Sequence, residues 1–185
     1  MFRRRIPRNR RRPGSRGPHP RLLEANDLLA SGDFAGAARL FDVMAQAAMA
    51  RNGPAAPHLL IQAGRAMILA GQVPDGIMKI KQALDVFAQR MEWARFVRTR
   101  KRATKQLRES GFEQEAEEIE NYQSGQVPNN FLDQINGQPV KPVSKAVSLL
   151  PVSCPGCGGP IRSDRVEWVD EVTAECPYCG RILRN

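Results

Sequence analysis

All four cysteines of this 185-residue chain lie near its C-terminus, in two copies of one short pattern. Each copy reads C-P-x-C-G: Cys154 and Cys157 belong to the first, Cys176 and Cys179 to the second. A C-x-x-C turn brings two sulfur atoms to one side of the backbone, and the glycine after it permits a tight turn whose amides face a sulfur. Eighteen residues separate Cys157 from Cys176, a spacing typical of four thiolates that share one metal ion. The C-terminal part is therefore predicted to fold around a metal.

The segment between the two cysteine pairs is rich in residues that favour β-strands. They are Val166, Trp168, Val169, Val172 and Thr173. Because Asp170 and Glu171 supply a turn between them, the segment predicts a β-hairpin. Residues 151–185 as a whole resemble a zinc ribbon, which implies one structural zinc ion bound by the four cysteines. In so small a module Trp168 is predicted as a core residue, with stacking on a nucleic-acid base as the alternative.

Two other chemistries use similar cysteine spacings. Disulfides would need an oxidising compartment, and the basic N-terminal segment is not followed by the apolar stretch of a secretory signal. A rubredoxin-like iron site would need a redox partner, which nothing else in the chain suggests. Zinc is predicted instead, and four protein thiolates would close its coordination shell to water and substrate. No nucleophile and base can be assembled from the other residues, so we expect a protein that is not an enzyme.

The middle of the chain contains an internal repeat. When Gly32 is set on Gly71, residues 22–44 and 60–83 fall into register. The paired positions are Ala25 with Gly64, Leu28 with Met67, Phe34 with Val73, Ala37 with Gly76, Phe41 with Ile80 and Met44 with Ala83. Each unit predicts a helix that ends near a left-handed glycine and a second amphipathic helix, with small residues that let the two approach closely. A weaker third unit, residues 97–122, has Gly111 at its turn.

This pattern resembles the tetratricopeptide repeat, which places small residues, a turn glycine and an aromatic at such offsets. The resemblance implies a mainly α-helical domain over residues 18–123, whose stacked helical hairpins present a groove for a protein or peptide. The turns are 39 and 40 residues apart, against about 34 in the family. We therefore expect longer second helices or longer joins, such as residues 52–57. An ordinary helical bundle with similar turns is the alternative, and it is also all-α.

Positive charge is concentrated in the first 17 residues. The chain has a formal net charge of +9, and residues 1–17 contribute eight arginines and no acid. These are Arg3, Arg4, Arg5, Arg8, Arg10, Arg11, Arg12 and Arg16. Charge repulsion and interspersed prolines and glycines predict a disordered arm. Such an arm could bind RNA, DNA or an anionic membrane surface by displacing counterions, serve only as a solubilising tail, or belong to a mitochondrial transit peptide.

A second basic segment lies on a predicted helix. Arg95, Arg98, Arg102 and Lys105 recur at intervals of three or four residues and so share one face, opposite an apolar stripe. This face predicts either a patch for phosphates or a partner's acidic tail, or an internally paired surface. Internal pairing is favoured because residues 109–123 hold six acids and no base, and a hairpin lays them alongside. The acids expected to pair are Glu113, Glu117 and Glu120.

The remaining features concern the linker, the histidines and the location of the protein. Residues 124–150 contain many prolines, glycines and asparagines and predict an extended linker between modules that need not be rigidly related. His58 and His19 are expected to be polar surface groups. The longest apolar run is five residues, 66–70, so we expect no membrane span and a cytoplasmic protein. These features favour a protein-interaction adaptor; the alternative is a nucleic-acid-associated protein using the arm, the basic helix and the ribbon.

Overall fold

The computed structural model of the chain describes residues 18–122, 150–163, 166–169, 173–176 and 178–184. The predicted arm, residues 1–17, and the predicted linker except its last residue lie outside these ranges. Within them, the N-terminal part is helical and the C-terminal part is a small antiparallel sheet beside the four cysteines. None of the helices described is both long and apolar enough to cross a bilayer.

Six α-helices form three consecutive pairs within residues 18–122. The pairs are α1 (Pro20–Ser31) with α2 (Phe34–Met49), α3 (Ala56–Leu69) with α4 (Val73–Gln89), and α5 (Trp93–Glu109) with α6 (Glu113–Glu120). Side chains cap the first two helices: the His19 ring accepts from the backbone N–H of Arg21, and the Asp33 carboxylate accepts from that of Gly36. Each helix packs against its neighbours in sequence, so this part of the chain is all-α, as predicted.

Each turn between consecutive helices of residues 18–122 contains a residue with positive φ. Gly32, Gly71 and Gly111 close the turns inside the three pairs, with φ from 82° to 86°, as predicted for these glycines. Asn52 (φ 49°) and Met91 (φ 55°) lie in the turns between pairs. Successive members of this series are 19 or 20 residues apart, so the chain reverses direction at regular intervals. The second helices are long, 16 residues in α2 and 17 in α4, and this length accounts for much of the distance along the chain from Gly32 to Gly71 and from Gly71 to Gly111.

Met91 carries backbone strain that glycine would relieve. A left-handed conformation costs a non-glycine residue about 1 kcal/mol, and the Met91 side chain is 73% exposed, so its loss removes little packing. We expect Met91→Gly to raise the free energy of unfolding by about 0.5 kcal/mol in urea titrations, because the greater conformational entropy of glycine in the unfolded chain offsets part of the relieved strain. Met78 is also exposed but lies inside α4, where Met78→Gly is expected to lower it by about 1 kcal/mol. If both substitutions changed the free energy of unfolding in the same direction, the assignment of backbone strain to Met91 would be contradicted.

Small residues set the spacing between the paired helices. Ala25 and Ala37, which the repeat aligns with Gly64 and Gly76, are fully buried in the first pair. In the second pair, a Cβ built on Gly64 would stand 2.6 Å from the carbonyl oxygen of Gly76, which only a residue without a side chain allows. The predicted close approach is confirmed. Larger side chains fill the rest of the helical core; fully buried among them are Phe41, Leu60, Leu84, Phe87 and Phe96.

The C-terminal residues form a three-stranded antiparallel sheet in the order β1-β2-β3. Strand β1 (Glu167–Trp168) pairs antiparallel with β2 (Thr173–Glu175), as the predicted hairpin requires, while its predicted turn at Asp170 and Glu171 lies outside the described residues. Strand β2 also pairs with β3 (Ile182–Arg184), which the sequence did not predict. The buried cluster of this unit consists of Cys154, Cys157, Ile161, Cys176 and Leu183. Trp168 is half-buried rather than part of that cluster, and its indole N–H donates to the carbonyl oxygen of Ser163 (3.3 Å).

Candidate metal centre

Two backbone turns of the same geometry present the four cysteines. In the first, the Gly158 N–H donates to the carbonyl oxygen of Cys154 (2.8 Å) and the Gly156 N–H donates to its sulfur (3.3 Å). In the second turn, the Gly180 N–H donates to the carbonyl oxygen of Cys176 (3.0 Å) and the Tyr178 N–H donates to its sulfur (3.4 Å). The glycine that follows each pair has positive φ, 74° and 67°. The tight turns predicted from the two C-P-x-C-G patterns, with amides facing a sulfur, are confirmed.

The four sulfur atoms converge on one point. All four Sγ atoms lie within 4.8 Å of one another. Cys154 Sγ is 3.7 Å from Cys179 Sγ, and Cys157 Sγ is 3.7 Å from Cys176 Sγ. A disulfide has an S–S bond of about 2.05 Å, whereas a tetrahedral site with metal–sulfur bonds of about 2.3 Å has S–S edges of about 3.8 Å. The cysteines are free thiols whose arrangement fits a tetrahedral metal ion.

The four sulfurs differ in burial, and hydrogen bonds among them shift their pKa values in different directions. Cys154, Cys157 and Cys176 are buried, and Cys179 is half-buried. Hydrogen bonds with the other three cysteines lower the pKa of the Cys154 thiol against the opposing effect of burial, whereas the corresponding hydrogen bonds raise the pKa of the Cys157 thiol. The thiolate is the form in which cysteine binds metals. Because the protein supplies all four donors, a metal held here would have no open coordination position.

The first cysteine turn lies against α1. The side-chain amide of Asn26 donates to the carbonyl oxygen of Cys157 (3.0 Å), and Leu22 packs against the buried cluster that contains the cysteines. Gly158 lies so close to Leu23 that an added Cβ would overlap the leucine side chain. The ribbon-like unit, residues 150–184, is therefore docked on the helical array, a placement that the predicted linker left open.

The second cysteine turn lies against α3. The side-chain amide of Gln62 donates to the carbonyl oxygen of Tyr178 (3.4 Å), and Gly180 leaves no room for a Cβ beside the His58 ring. The prediction of His58 as a surface group is wrong: it is 9% exposed, in the first turn of α3, and its ring meets that of Phe87 edge-on. Burial first, and then the charges of Arg95, Arg102 and Arg90, lower the pKa of His58 to about 4.

The basic face of α5 meets the ribbon-like unit through Glu175. The Glu175 side chain is only 10% exposed, and its carboxylate lies 2.9 Å from Arg98 and 3.6 Å from Arg95. Internal pairing with α6 also occurs, but through Arg108, whose guanidinium contacts Glu113 (2.9 Å) and Glu120 (2.6 Å). The acid that contacts Arg95 and Arg98 on the predicted basic face thus belongs to β2 rather than to α6.

Beside the docked unit, a cleft of about 530 Å³ remains between α3 and α5. Tyr178 of the second cysteine turn contributes to its wall. The positive residues that line it are Arg65, Arg102 and Lys105, and the acid that lines it is Glu109. Arg102 and Lys105 are the two members of the predicted basic face that lie beyond Glu175. The docked unit therefore covers one part of this surface of the helical array, and the cleft lies on a neighbouring part.

The sequence identified the four cysteines but not the surface beneath them. Asn26, His58 and Gln62 are single residues on α1 and α3, and no motif marks them. Glu175 precedes a cysteine and gave no separate signal. The sequence did contain one indication. The ribbon-like segment has a net negative charge, so its acids could pair with the basic helix in addition to the acids of the helix's own hairpin.

Comparison of the chain with protein-family models, with curated protein sequences and with solved structures finds no match. The chemistry of the chain is therefore inferred from its own residues. The four cysteines could hold a metal ion. The three helix pairs supply the surface on which that centre is docked.

Proposed function

We propose that this protein is a non-enzymatic adaptor in which a tetratricopeptide-like helical domain carries a structural zinc ribbon and binds a protein partner in the groove beside it. One observation supports this above the others: the cysteine turns and Glu175 contact α1, α3 and α5, the first helix of every pair. In stacked helical hairpins, equivalent helices line one shared surface. The ribbon covers one end of that surface and leaves a cleft at the other.

Zinc is the metal that this centre fits best. It prefers tetrahedral sites, and four cysteine sulfurs are among its usual structural ligand sets. Iron in the same geometry serves electron transfer, and no redox partner is evident in the chain. A zinc ion here would hold the two cysteine turns together. It would therefore also keep Cys157, Tyr178 and Gly180 in position to contact the helices. Its role in the adaptor is to keep the ribbon docked.

The regular turn spacing supports the tetratricopeptide-like assignment. Positive-φ residues at positions 32, 52, 71, 91 and 111 divide the array into units of about the same length. The small residues at the aligned positions pack in equivalent ways in the first two pairs. A repeat of this kind buries one face of each helix against its neighbour and leaves the inner face for a ligand.

The nucleic-acid alternative has less support. It relied on the arm, which lies outside the described residues, on the four basic residues of α5 and on the ribbon. Arg98 is ion-paired with Glu175, and Arg95 is ion-paired with Glu92 and Glu175, so half of that face is already neutralised within the chain. Exposed phosphate-binding surfaces depend on cations that can reach the backbone of the nucleic acid.

A photo-crosslinker placed in the cleft tests the adaptor function. Gln106 lines the cleft, so p-benzoylphenylalanine at this position is expected to cross-link a specific protein in nuclease-treated native lysate. The same group at Glu118, which is exposed on α6 and pairs with Lys81, serves as the matched control and is expected not to capture that protein. Cross-links to nucleic acid alone in untreated lysate, or no difference between the two positions, would argue against an adaptor.

A further inference from the structure

The helical array contacts the backbone of both cysteine turns. In α1, the side-chain amide of Asn26 donates to the carbonyl oxygen of Cys157 (3.0 Å). In α3, the side-chain amide of Gln62 donates to the carbonyl oxygen of Tyr178 (3.4 Å). Cys157 is one of the four candidate ligands, and Tyr178 immediately precedes another, Cys179. The two helices therefore hold the parts of the backbone that carry the sulfurs.

The hydrogen bond from Asn26 fixes the peptide group that closes the first turn. The carbonyl of Cys157 and the N–H of Gly158 belong to one planar peptide group. This N–H donates to the carbonyl oxygen of Cys154 (2.8 Å), and that bond closes the turn presenting both sulfurs. Asn26 binds the other end of the same group, and hydrogen bonds that are linked in a chain polarise and strengthen one another. Loss of the Asn26 amide would therefore loosen the turn directly at a ligand.

The glycines that follow the two cysteine pairs are enclosed by the same helices. Gly158 and Gly180 have the positive φ that each turn requires. An added Cβ would overlap the Leu23 side chain at Gly158 and the His58 ring at Gly180. Movement of either turn toward the helices is therefore blocked in the docked unit. Docking restricts the distances over which the two turns can separate.

Solvent reaches the four sulfurs unequally. Cys154, Cys157 and Cys176 are 1%, 1% and 2% exposed, whereas Cys179 is half-buried. A chelator that removes a metal ion must therefore begin at Cys179, and the other three sulfurs must then separate before the ion leaves. That separation works against the hydrogen bonds from α1 and α3.

We infer that Asn26 is a positioning residue of the metal centre: it holds the Cys157 turn in the ligand geometry, so that the docked chain binds zinc more tightly and releases it more slowly than an undocked ribbon. This inference rests on the proposed zinc centre and does not depend on which partner the protein binds. The coupling is reciprocal, so zinc and docking strengthen one another by the same factor. In other metal sites, residues that hold the ligands in place contribute about 10–100-fold in metal affinity.

Transfer of zinc from the full chain to an excess of the coloured chelator 4-(2-pyridylazo)resorcinol tests the inference. Asn26→Asp removes the donor, because a carboxylate only accepts, and Asn26→Leu removes it without adding a charge. Both substitutions are expected to raise the transfer rate about tenfold, with unchanged helical circular dichroism. Asn121→Asp and Asn121→Leu make the same changes at an exposed residue after α6, and they should leave the rate within about twofold.

A double-mutant cycle tests whether Asn26 acts through docking. Glu175→Lys is expected to undock the ribbon while its zinc stays bound, and the His58 pKa verifies that it has done so. Asn26 then no longer reaches Cys157, so Asn26→Asp should add nothing to the faster transfer of Glu175→Lys. In the cobalt-loaded chain, visible absorption depends on the ligand geometry. The bands of Asn26→Asp should therefore shift toward those of Glu175→Lys.

The outcomes separate this inference from the proposed function. Three results would overturn the positioning role while leaving the zinc centre in place: equal transfer rates in the Asn26 and Asn121 variants, faster transfer in Asn26→Asp alone, or additive effects in the undocked chain. A purified wild-type chain that binds no zinc would refute the centre itself and this inference with it. Cross-linking at Gln106 reports on the adaptor function independently of the transfer rates.

Discussion

Cys176→Ser is expected to abolish binding of the proposed zinc ion and to unfold the ribbon-like unit while the helical domain stays folded. The four sulfurs bring the two cysteine turns together, and their distances fit one tetrahedral ion. Metal binding can contribute on the order of 10 kcal/mol to the folding of so small a unit. The helical cores are built from different residues, including Phe41, Phe87 and Phe96, so they do not depend on the metal.

Metal analysis and hydrogen exchange check this expectation. Purified wild-type protein should contain one zinc per chain, and the variant none, with rapid exchange at the backbone amides of β2 and β3. Helical circular dichroism should fall only slightly. Val152→Ser, an exposed change beside the first cysteine turn, is the control and should keep the metal. Iron in place of zinc would refute the assigned metal, and a metal-free protein with protected strands would refute its structural role.

Local signals were enough to predict the cysteine turns and the helix pairs. The C-P-x-C-G pattern encodes its own geometry, because the glycine after each second cysteine allows the positive φ that the turn needs. Gly32, Gly71 and Gly111 mark helix ends in the same way. The apolar stripe of α5 also followed from periodicity, and Phe96 and Leu107, which belong to it, are buried. In each case the residues that determine the structure are close together in sequence.

Docking of the ribbon could not be predicted because it depends on residues far apart in sequence. Asn26 and Cys157 are separated by 131 positions, and Arg98 and Glu175 by 77. Each contact uses one ordinary side chain, whose partner is defined only once both units have folded. The same cause explains the error on His58. Its ring lies between Phe87 of α4 and Gly180 of the ribbon-like unit, contacts that its position near the start of α3 does not reveal.

Glu175→Lys is expected to release the ribbon from the helical array without loss of zinc. The Glu175 carboxylate is nearly buried between Arg98 and Arg95, so a lysine there would place three cations together. Removing one partner from a buried ion pair costs about 3–5 kcal/mol, and charge reversal should cost at least as much. That exceeds what the two side-chain amide hydrogen bonds, from Asn26 and Gln62, are expected to contribute, at about 1 kcal/mol each, and leaves the apolar contacts of Leu22 and Leu23 to oppose release. Glu175→Gln should weaken docking less, because it removes the charge without adding a like one.

The imidazole of His58 reports on docking directly. Burial is the main cause that lowers its pKa from 6.5 to about 4, so release of the ribbon should raise this pKa toward 6.5 in an NMR titration. The lowered pKa of His58 also makes docking depend on pH. Between pH 6.5 and 4 the undocked form binds a proton that the docked form excludes, so docking weakens as the pH falls. Zinc content measured at each pH separates this effect from metal loss. Glu118→Lys, the same charge change on exposed α6, should leave the His58 pKa near 4. An unchanged His58 pKa in Glu175→Lys would show that the ion pair is not what holds the ribbon against α3 and α5.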